Sequence, residues 1–295
     1  MHTVRRTNAH APGWREEAHM ADKPDSGDSL AADEFQHLRV ERRGIAAWVT
    51  LARPDVHNAF NAALIAELHT AFERLSSDDT LRAVVLAGEG RNFCAGADLN
   101  WMGASLAYTR DENVEDALKM SDMFRAINDC RHPVIGRIQG AALGGGAGLT
   151  AVCDIAIAAE DSRFGFTEAR LGITPAVISQ FVVPKIGPGA ARALFVTAER
   201  FDAQRALAIG LVHQVVPATG LDEAVTATIR AIGQSGPAGV RAAKLLARDI
   251  LALSHDEARA TTAATIADLR VSPEGQEGIR AFLEKRRATW VSDDV

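Results

Sequence analysis

The stretch Gly140-Ala141-Ala142-Leu143-Gly144-Gly145-Gly146-Ala147-Gly148-Leu149 consists almost entirely of small residues. It lies between two apolar segments, residues 134–138 and 154–159, whose composition is typical of buried β-strands. Because glycine has no side chain, the chain can turn tightly there and pass directly into a helix. A strand, a glycine turn, a helix and a second strand in this order predict an α/β fold with parallel strand pairing.

A second turn of small residues lies upstream, at Phe93-Cys94-Ala95-Gly96-Ala97-Asp98-Leu99, after a predicted strand at residues 83–86. Each of the two turns leads into a predicted helix. A helix N-terminus offers unpaired N–H groups and a partial positive charge, so two facing turns could bind one developing oxyanion. The alternative is that the small residues only permit tight packing of strand against helix.

The third candidate is Glu168, a single acid between apolar and small residues in Phe164-Gly165-Phe166-Thr167-Glu168-Ala169-Arg170-Leu171-Gly172. Removal from water raises the pKa of a carboxyl group, which would allow this one to exchange a proton near neutral pH. The alternative is a surface glutamate paired with Arg163 or Arg170.

The rest of the chain divides into three regions. Residues 1–33 lack an apolar period and are interpreted as a flexible extension, with Met20 as an alternative start. Residues 34–200 form the predicted α/β core, with early strands at 38–40 and 45–51 and a helix at 59–75. Residues 201–295 form a predicted helical region packed on the core or on a neighbouring subunit. After residue 187 strand signals nearly vanish, and helices are expected at 188–198, 202–210, 221–233, 236–253, 256–270 and 274–287.

Composition excludes several classes of protein. With 47% hydrophobic and 24% charged residues the chain is typical of a soluble enzyme, and its net charge of -6 provides no field for nucleic acid or anionic lipid. The three cysteines, Cys94, Cys130 and Cys153, form no CxxC pair, which predicts neither disulfides nor a thiolate zinc site and favours the cytoplasm. No apolar run is long enough to span a membrane. Motifs for a P-loop, a Rossmann cofactor site and a zinc protease are absent.

Taken together, these motifs resemble the enoyl-CoA hydratase/isomerase (crotonase) superfamily over about residues 36–290. The resemblance includes the two small-residue turns, Cys153-Asp154-Ile155, and the segment around Glu168. It also includes Arg53-Pro54 followed by Asn58-Ala59, and Phe282-Leu283-Glu284-Lys285-Arg286 near the end.

The resemblance implies a spiral of ββα turns with a C-terminal helical trimerisation region, and a homotrimer or a hexamer made of two trimers. It implies that the backbone N–H groups of Ala97 and Gly145 bind the carbonyl of an acyl-CoA thioester. Glu168 would act as acid and base. No metal or separate cofactor is implied, because CoA enters with the substrate. The resemblance places five residues beside the CoA arm and a sixth, from a neighbouring subunit, at its phosphates: Asn58, Ala59, Asp98, Leu99, Asn100 and Lys285. Lys285 has an alternative reading as part of a solvated helix end.

One departure leaves the reaction open. Typical hydratases of this superfamily carry a second glutamate at the position of Gly148, whereas its double-bond isomerases are known with one. Residues 96–102, 175–179 and 197–202 nevertheless look most like bacterial methylglutaconyl-CoA hydratases of leucine breakdown. The sequence therefore favours a hydratase, with a Δ3,Δ2-enoyl-CoA isomerase as the alternative and a non-catalytic acyl-CoA-binding protein as a third hypothesis.

Overall fold

A computed structural model describes residues 34–291, so the predicted extension at residues 1–33 lies outside the described residues. The strands are β1 Leu38–Arg43, β2 Ala46–Leu51, β3 Ala83–Gly88, β4 Val134–Ile138, β5 Ala141–Leu143, β6 Ile155–Ala159, β7 Arg163–Gly165, β8 Arg200–Asp202 and β9 Gln214–Val216.

Helices alternate with the strands in the first part of the chain and dominate its last third. They are α1 Ala62–Ser77, α2 Leu99–Ser105, α3 Arg110–Asn128, α4 Gly145–Val152, α5 Ala176–Thr197, α6 Ala203–Ala208, α7 Leu221–Gly233, α8 Pro237–Asp249, α9 His255–Val271 and α10 Pro273–Leu283. Single 3-10 turns follow β2 and β7 and precede α7 and α9.

The main sheet has six strands in the order β1-β2-β3-β4-β6-β9. Only the β1–β2 hairpin is antiparallel, and the other pairs are parallel, as the sequence predicts. A second sheet of three short strands, β5-β7-β8, begins with the glycine stretch itself. Loops that follow parallel strands meet at one edge of a sheet, so the loops after β3 and β4 lie side by side.

The main sheet is covered on both faces. Val84 and Leu86 of β3 belong to the large core under α1, α3, α4 and α5. Ala83 and Val85 face the opposite way, into a smaller core with Val225 of α7. Burial on both faces explains why the parallel strands are continuous apolar runs and do not alternate in polarity.

The predicted start of the first helix, at residue 59, is wrong. Helix α1 begins at Ala62 because the side chain of Asn61 accepts a hydrogen bond from the N–H of Leu64, at 2.8 Å. The preceding Phe60 is extended and forms an isolated parallel bridge with Ala97. The chain before the cap therefore belongs to the site and not to the helix.

Two short strands lie between the helices predicted after residue 187, in a region where the sequence gives almost no strand signal. Strands β8 and β9 have three residues each, and β9 pairs with β6 as the edge of the main sheet. The sheet thus extends past the predicted boundary at residue 200. Three-residue strands give no measurable alternation, which is why the pattern of the sequence does not show them.

Helix α5 is two helical segments joined at Gly187, whose φ of 76° and ψ of 154° are not helical. Pro184 and Pro188 flank this glycine. Proline lacks an N–H and clashes with the preceding turn, so both residues favour the break. The second segment corresponds to the helix predicted at residues 188–198.

Within residues 34–291, no helix combines the length and apolarity needed to cross a membrane.

We expect acid to destabilise the fold through His132, whose side chain is 1% exposed. Burial, and then the charges of Arg241 and Arg131, lower its pKa from 6.5 to about 4. The folded protein therefore holds the imidazole neutral. Its full stability is present above pH 6.5, and part of it is lost as the pH falls toward 4, because the imidazole takes up a proton more readily in the unfolded chain. The loss amounts to about 3 kcal/mol of unfolding free energy. Chemical unfolding at several pH values checks it: His132→Gln is expected to have a flatter profile between pH 6.5 and 4, and parallel profiles would contradict the assignment.

Candidate active site

The turn after β3 carries the backbone N–H of Ala97. Hydrogen bonds fix its neighbours: Phe60 N–H donates to the Gly96 carbonyl at 2.7 Å, and Asp98 N–H donates to the Phe60 carbonyl at 2.8 Å. Among the described residues no acceptor takes the N–H of Ala97 itself. This turn therefore holds one free backbone donor in a fixed direction.

The glycine turn supplies the second donor. Gly144 is the N-cap of α4 with a φ of 51°, a conformation that favours glycine, so the N–H of Gly145 lies in the unpaired first turn of the helix. A Cβ on Gly145 would lie 2.4 Å from the ring of Phe60. Glycine is thus required here for the helix to approach the residue that bridges to Ala97.

The two turns are joined directly. Cys94 N–H donates to the Ala141 carbonyl and Leu143 N–H donates to the Cys94 carbonyl, each at 3.0 Å. A Cβ on Gly146 would lie 2.1 Å from the Cys94 carbonyl oxygen, and one on Gly96 would lie 2.9 Å from that of Leu143. Close backbone approach therefore sets the relative position of the two free N–H groups.

Glu168 starts the 3-10 turn after β7 and lies beside the glycine turn. Its Oε1 is 3.3 Å from the point where a Cβ on Gly144 would stand, and its Oε2 is buried with no hydrogen-bond partner. Burial raises the pKa of this carboxyl group. Among the described residues no ion pair joins Glu168 to Arg163 or Arg170, and Arg163 instead donates to the carbonyls of Asp161 and Ser162, so the alternative of a glutamate paired with either arginine is wrong there.

The segment before α1 is anchored by Arg53. Its guanidinium contacts the Ala59 carbonyl and pairs with Asp98 at 2.9 Å. Asn58 is fully buried: its Oδ1 accepts from Arg53 N–H, and its Nδ2 donates to the carbonyls of Glu89 and Asn92. The amide of Asn58 is thus used within the protein, and any contact of this residue with CoA would use its backbone.

Asp98 is buried and caps α2 through the N–H groups of Asn100 and Trp101, at 2.9 and 3.4 Å. Burial raises the pKa of this carboxyl group. The hydrogen bonds from the two N–H groups and from Arg53 lower it by more, so the pKa lies below its usual value. Leu99 is 82% exposed, and Asn100 is also exposed. Of these three predicted CoA contacts, Asp98 is therefore buried, whereas the side chains of Leu99 and Asn100 are exposed beside the turn.

Lys285 follows the end of α10, is exposed and has a φ of 55°. Within the described residues, no contact joins it to the two turns or to Glu168. A role at the phosphates of CoA stays a prediction about a neighbouring subunit.

Position 148 carries glycine and therefore adds no carboxyl group to the site. A Cβ there would lie 2.4 Å from Cγ2 of Ile178 and 3.1 Å from the ring of Phe124. Two apolar side chains from α5 and α3 thus cover the position where the resemblance implies a second glutamate in typical hydratases. Sequence reasoning gave Phe60 no role and did not predict the contacts of Arg53 with Asp98 or of Ile178 with Gly148, because these depend on how distant segments pack.

In residues 34–291 no three His, Cys, Asp or Glu side chains come together as a metal site. The site thus offers two free backbone N–H groups, the half-buried carboxyl group of Glu168 and an apolar wall. Together they suit polarisation of a carbonyl group and transfer of a proton next to it.

The sequence of this chain is similar to known proteins over most of its length. Residues 41–293 match the family model described as enoyl-CoA hydratase/isomerase. The crotonyl-CoA hydratase of Syntrophomonas wolfei is 32% identical over 260 residues, covering 88% of this chain and 99% of the relative. The short-chain-enoyl-CoA hydratase of Clostridium acetobutylicum is 31% identical, covering 86% of this chain and 97% of the relative.

A solved structure agrees with these relatives. The crystal structure of an enoyl-CoA hydratase from Shewanella pealeana superposes with a TM-score of 0.84 at 36% identity, covering 88% of this chain and 97% of that one. The similarity extends over nearly all the described residues and includes the C-terminal helices.

Proposed function

This chain belongs to the enoyl-CoA hydratase/isomerase family, and we propose that it catalyses the reversible hydration of a 2-enoyl-CoA thioester. The observation that carries the proposal is the unpaired, buried carboxyl oxygen of Glu168 beside the turn that offers the N–H of Gly145. A proton-transfer group next to a carbonyl-binding turn is what this reaction needs.

In the proposed reaction the thioester oxygen accepts hydrogen bonds from Ala97 and Gly145. This polarisation draws electrons from the C2=C3 double bond, so that a water oxygen can bond to C3 while the π electrons pass to an enolate. Glu168 takes the proton that water loses and delivers a proton to C2. The products are a C3 hydroxyl group and a new C2–H bond, and CoA enters only as part of the substrate, without a further cofactor.

The finer proposal is that the acyl group is branched and carboxylated, as in 3-methylglutaconyl-CoA of leucine breakdown. It is supported by the likeness of residues 175–179 and 197–202 to bacterial hydratases of that substrate. The apolar cover over Gly148 leaves water orientation to Glu168 or to a carboxylate that the substrate itself brings.

That same cover favours one alternative, a Δ3,Δ2-enoyl-CoA isomerase. A single carboxylate suffices there, because Glu168 would take a proton from C2 and return one to C4 without binding water.

We also propose self-association into a trimer or hexamer. Its support is apolar exposure near the C-terminus: Leu251 is 92%, Phe282 83% and Leu283 73% exposed.

The proposal predicts turnover on a panel of crotonyl-CoA, 3-methylglutaconyl-CoA and 3-hexenoyl-CoA, followed by product mass and by absorbance of the conjugated thioester. We expect water addition to at least one 2-enoyl-CoA, with the highest kcat/KM on the carboxylated substrate. Conversion of 3-hexenoyl-CoA alone would establish the isomerase. Tight binding of all three without turnover would contradict both enzymatic proposals and support an acyl-CoA-binding protein.

A further inference from the structure

The ammonium group of Lys185 lies at the far end of the helix that carries the glycine turn. Lys185 is in the last turn of α5 before the break at Gly187. Its Nζ donates a hydrogen bond to the carbonyl of Cys153, the C-cap of α4, at 2.6 Å. The main-chain end of α4 is thus held by a charged side chain from another helix.

A polar cluster surrounds this contact inside the protein. Asp154 follows Cys153, and its Oδ2 accepts hydrogen bonds from Val134 N–H and from Nζ of Lys244, both at 2.7 Å. Burial lowers the pKa of Lys185, and the charge of Asp154 opposes that effect. Lys244, which pairs with Asp154, makes its other hydrogen bond to the His132 carbonyl and none to α4. Only Lys185, of the two lysines, contacts the catalytic helix.

Helix α4 is held in the core by side chains of its second half, such as Leu149 and Val152, whereas its first half, at the site, offers almost none. It is eight residues long, and three of its first four residues are glycine, which provide no side chains for packing. Helix α5 touches it at two levels, with Ile178 over Gly148 and Lys185 on the Cys153 carbonyl. At about 1.5 Å of rise per residue, the Lys185 contact is about 12 Å from the N–H of Gly145. A short, stiff helix transmits a tilt at one end to the other.

We propose that Lys185 is a positioning residue for the reaction: by fixing the C-terminal end of α4, it aims the N–H of Gly145 at the thioester oxygen. The inference rests on the proposed function of that N–H. Hydrogen bonds to a developing oxyanion depend strongly on direction, and a shift of about 1 Å remote from the chemistry can cost up to about 100-fold in rate. A lysine that only stabilises the fold would leave the donor geometry unchanged.

The test compares Lys185→Met with Lys185→Arg. In Lys185→Met we expect kcat to fall about tenfold while KM changes less than about twofold, because CoA binding lies elsewhere. Lys185→Arg keeps a long cationic donor and is expected to restore most of kcat. Lys244→Met is the matched control, since it removes the lysine that pairs with Asp154 without touching α4.

A spectroscopic measurement reports on the donor itself. The carbonyl stretch of butyryl-CoA, carbon-13 labelled at the thioester carbon, moves to lower wavenumber when the oxygen accepts stronger hydrogen bonds. We expect the wild-type shift to be reduced in Lys185→Met, restored in Lys185→Arg and unchanged in Lys244→Met. If Lys185→Met fails to fold, Lys185→Gln, whose side chain is too short to reach the carbonyl, serves in its place with the same expectation.

A wild-type band position and kcat in a folded Lys185→Met or Lys185→Gln would overturn the inference, as would an equal effect in Lys244→Met. If the wild-type protein hydrates no substrate but still shifts the band, and the shift is reduced without Lys185, the proposed function fails while the positioning role holds. A wild-type protein that binds butyryl-CoA with no band shift would refute both.

Discussion

Replacement of Glu168 by Gln is expected to lower kcat by about 10²–10⁴-fold and to leave the affinity for acyl-CoA nearly unchanged. The carboxyl group lies beside the glycine turn, and its Oε2 has no hydrogen-bond partner among the described residues. Gln keeps the shape of Glu but cannot take up or release the proton. Steady-state kinetics and calorimetric titration with butyryl-CoA separate the two effects.

The same residue predicts a pH dependence. Because burial raises the pKa of Glu168, the base form is lost at a higher pH than for an ordinary glutamate. The acid limb of kcat/KM should therefore lie above the usual range of a glutamate and disappear in the residual activity of Glu168→Gln. Glu160→Gln, at an exposed position, is the matched control. Turnover of Glu168→Gln equal to the wild type on every substrate would reject both enzymatic proposals.

Replacement of Ala97 by Pro is expected to lower kcat by about 10²–10³-fold, which corresponds to about 2.7–4 kcal/mol for a lost oxyanion donor. The N–H of Ala97 has no acceptor among the described residues, so proline removes a donor that the fold itself does not use. The hydrogen bonds on either side, from Phe60 and Asp98, remain available. Gly96 precedes this position and has no Cβ to clash with the proline ring.

Ala97→Gly is the control, because it retains the N–H and changes only a methyl group. Its kcat should stay within a few-fold of the wild type. Circular dichroism and the carbonyl stretch of bound butyryl-CoA show whether the proline variant is folded and has lost one hydrogen bond. A folded Ala97→Pro with normal turnover would mean that the thioester oxygen is held by other groups.

The sequence predicts those parts of the site that depend on local composition. Glycine at 144 and 145 stands where a strand must turn into a helix, and Glu168 is a lone acid in an apolar segment. Both features can be recognised within ten residues. The parallel strands of the main sheet are likewise continuous apolar runs, and Val134–Ile138 is predicted with its observed bounds.

Features that depend on contacts between distant segments were not predicted. Ile178 covers Gly148 from 30 residues away, and Lys185 reaches the Cys153 carbonyl from 32. Neither contact leaves a periodic signal, since each depends on how α4 and α5 pack. The edge strand Gln214–Val216 gives no pattern either, because its three residues are defined by pairing with β6.

Exchange of the C2 protons of butyryl-CoA in heavy water tests the central claim most directly. This saturated thioester cannot be hydrated, so deuterium enters only if Glu168 removes a C2 proton while Ala97 and Gly145 stabilise the enolate. The account predicts that the wild-type protein incorporates deuterium at C2, measured by mass spectrometry, and that Glu168→Gln and Ala97→Pro do so at least about 100-fold more slowly. Absence of exchange in the wild type, or equal exchange in all three proteins, would contradict it.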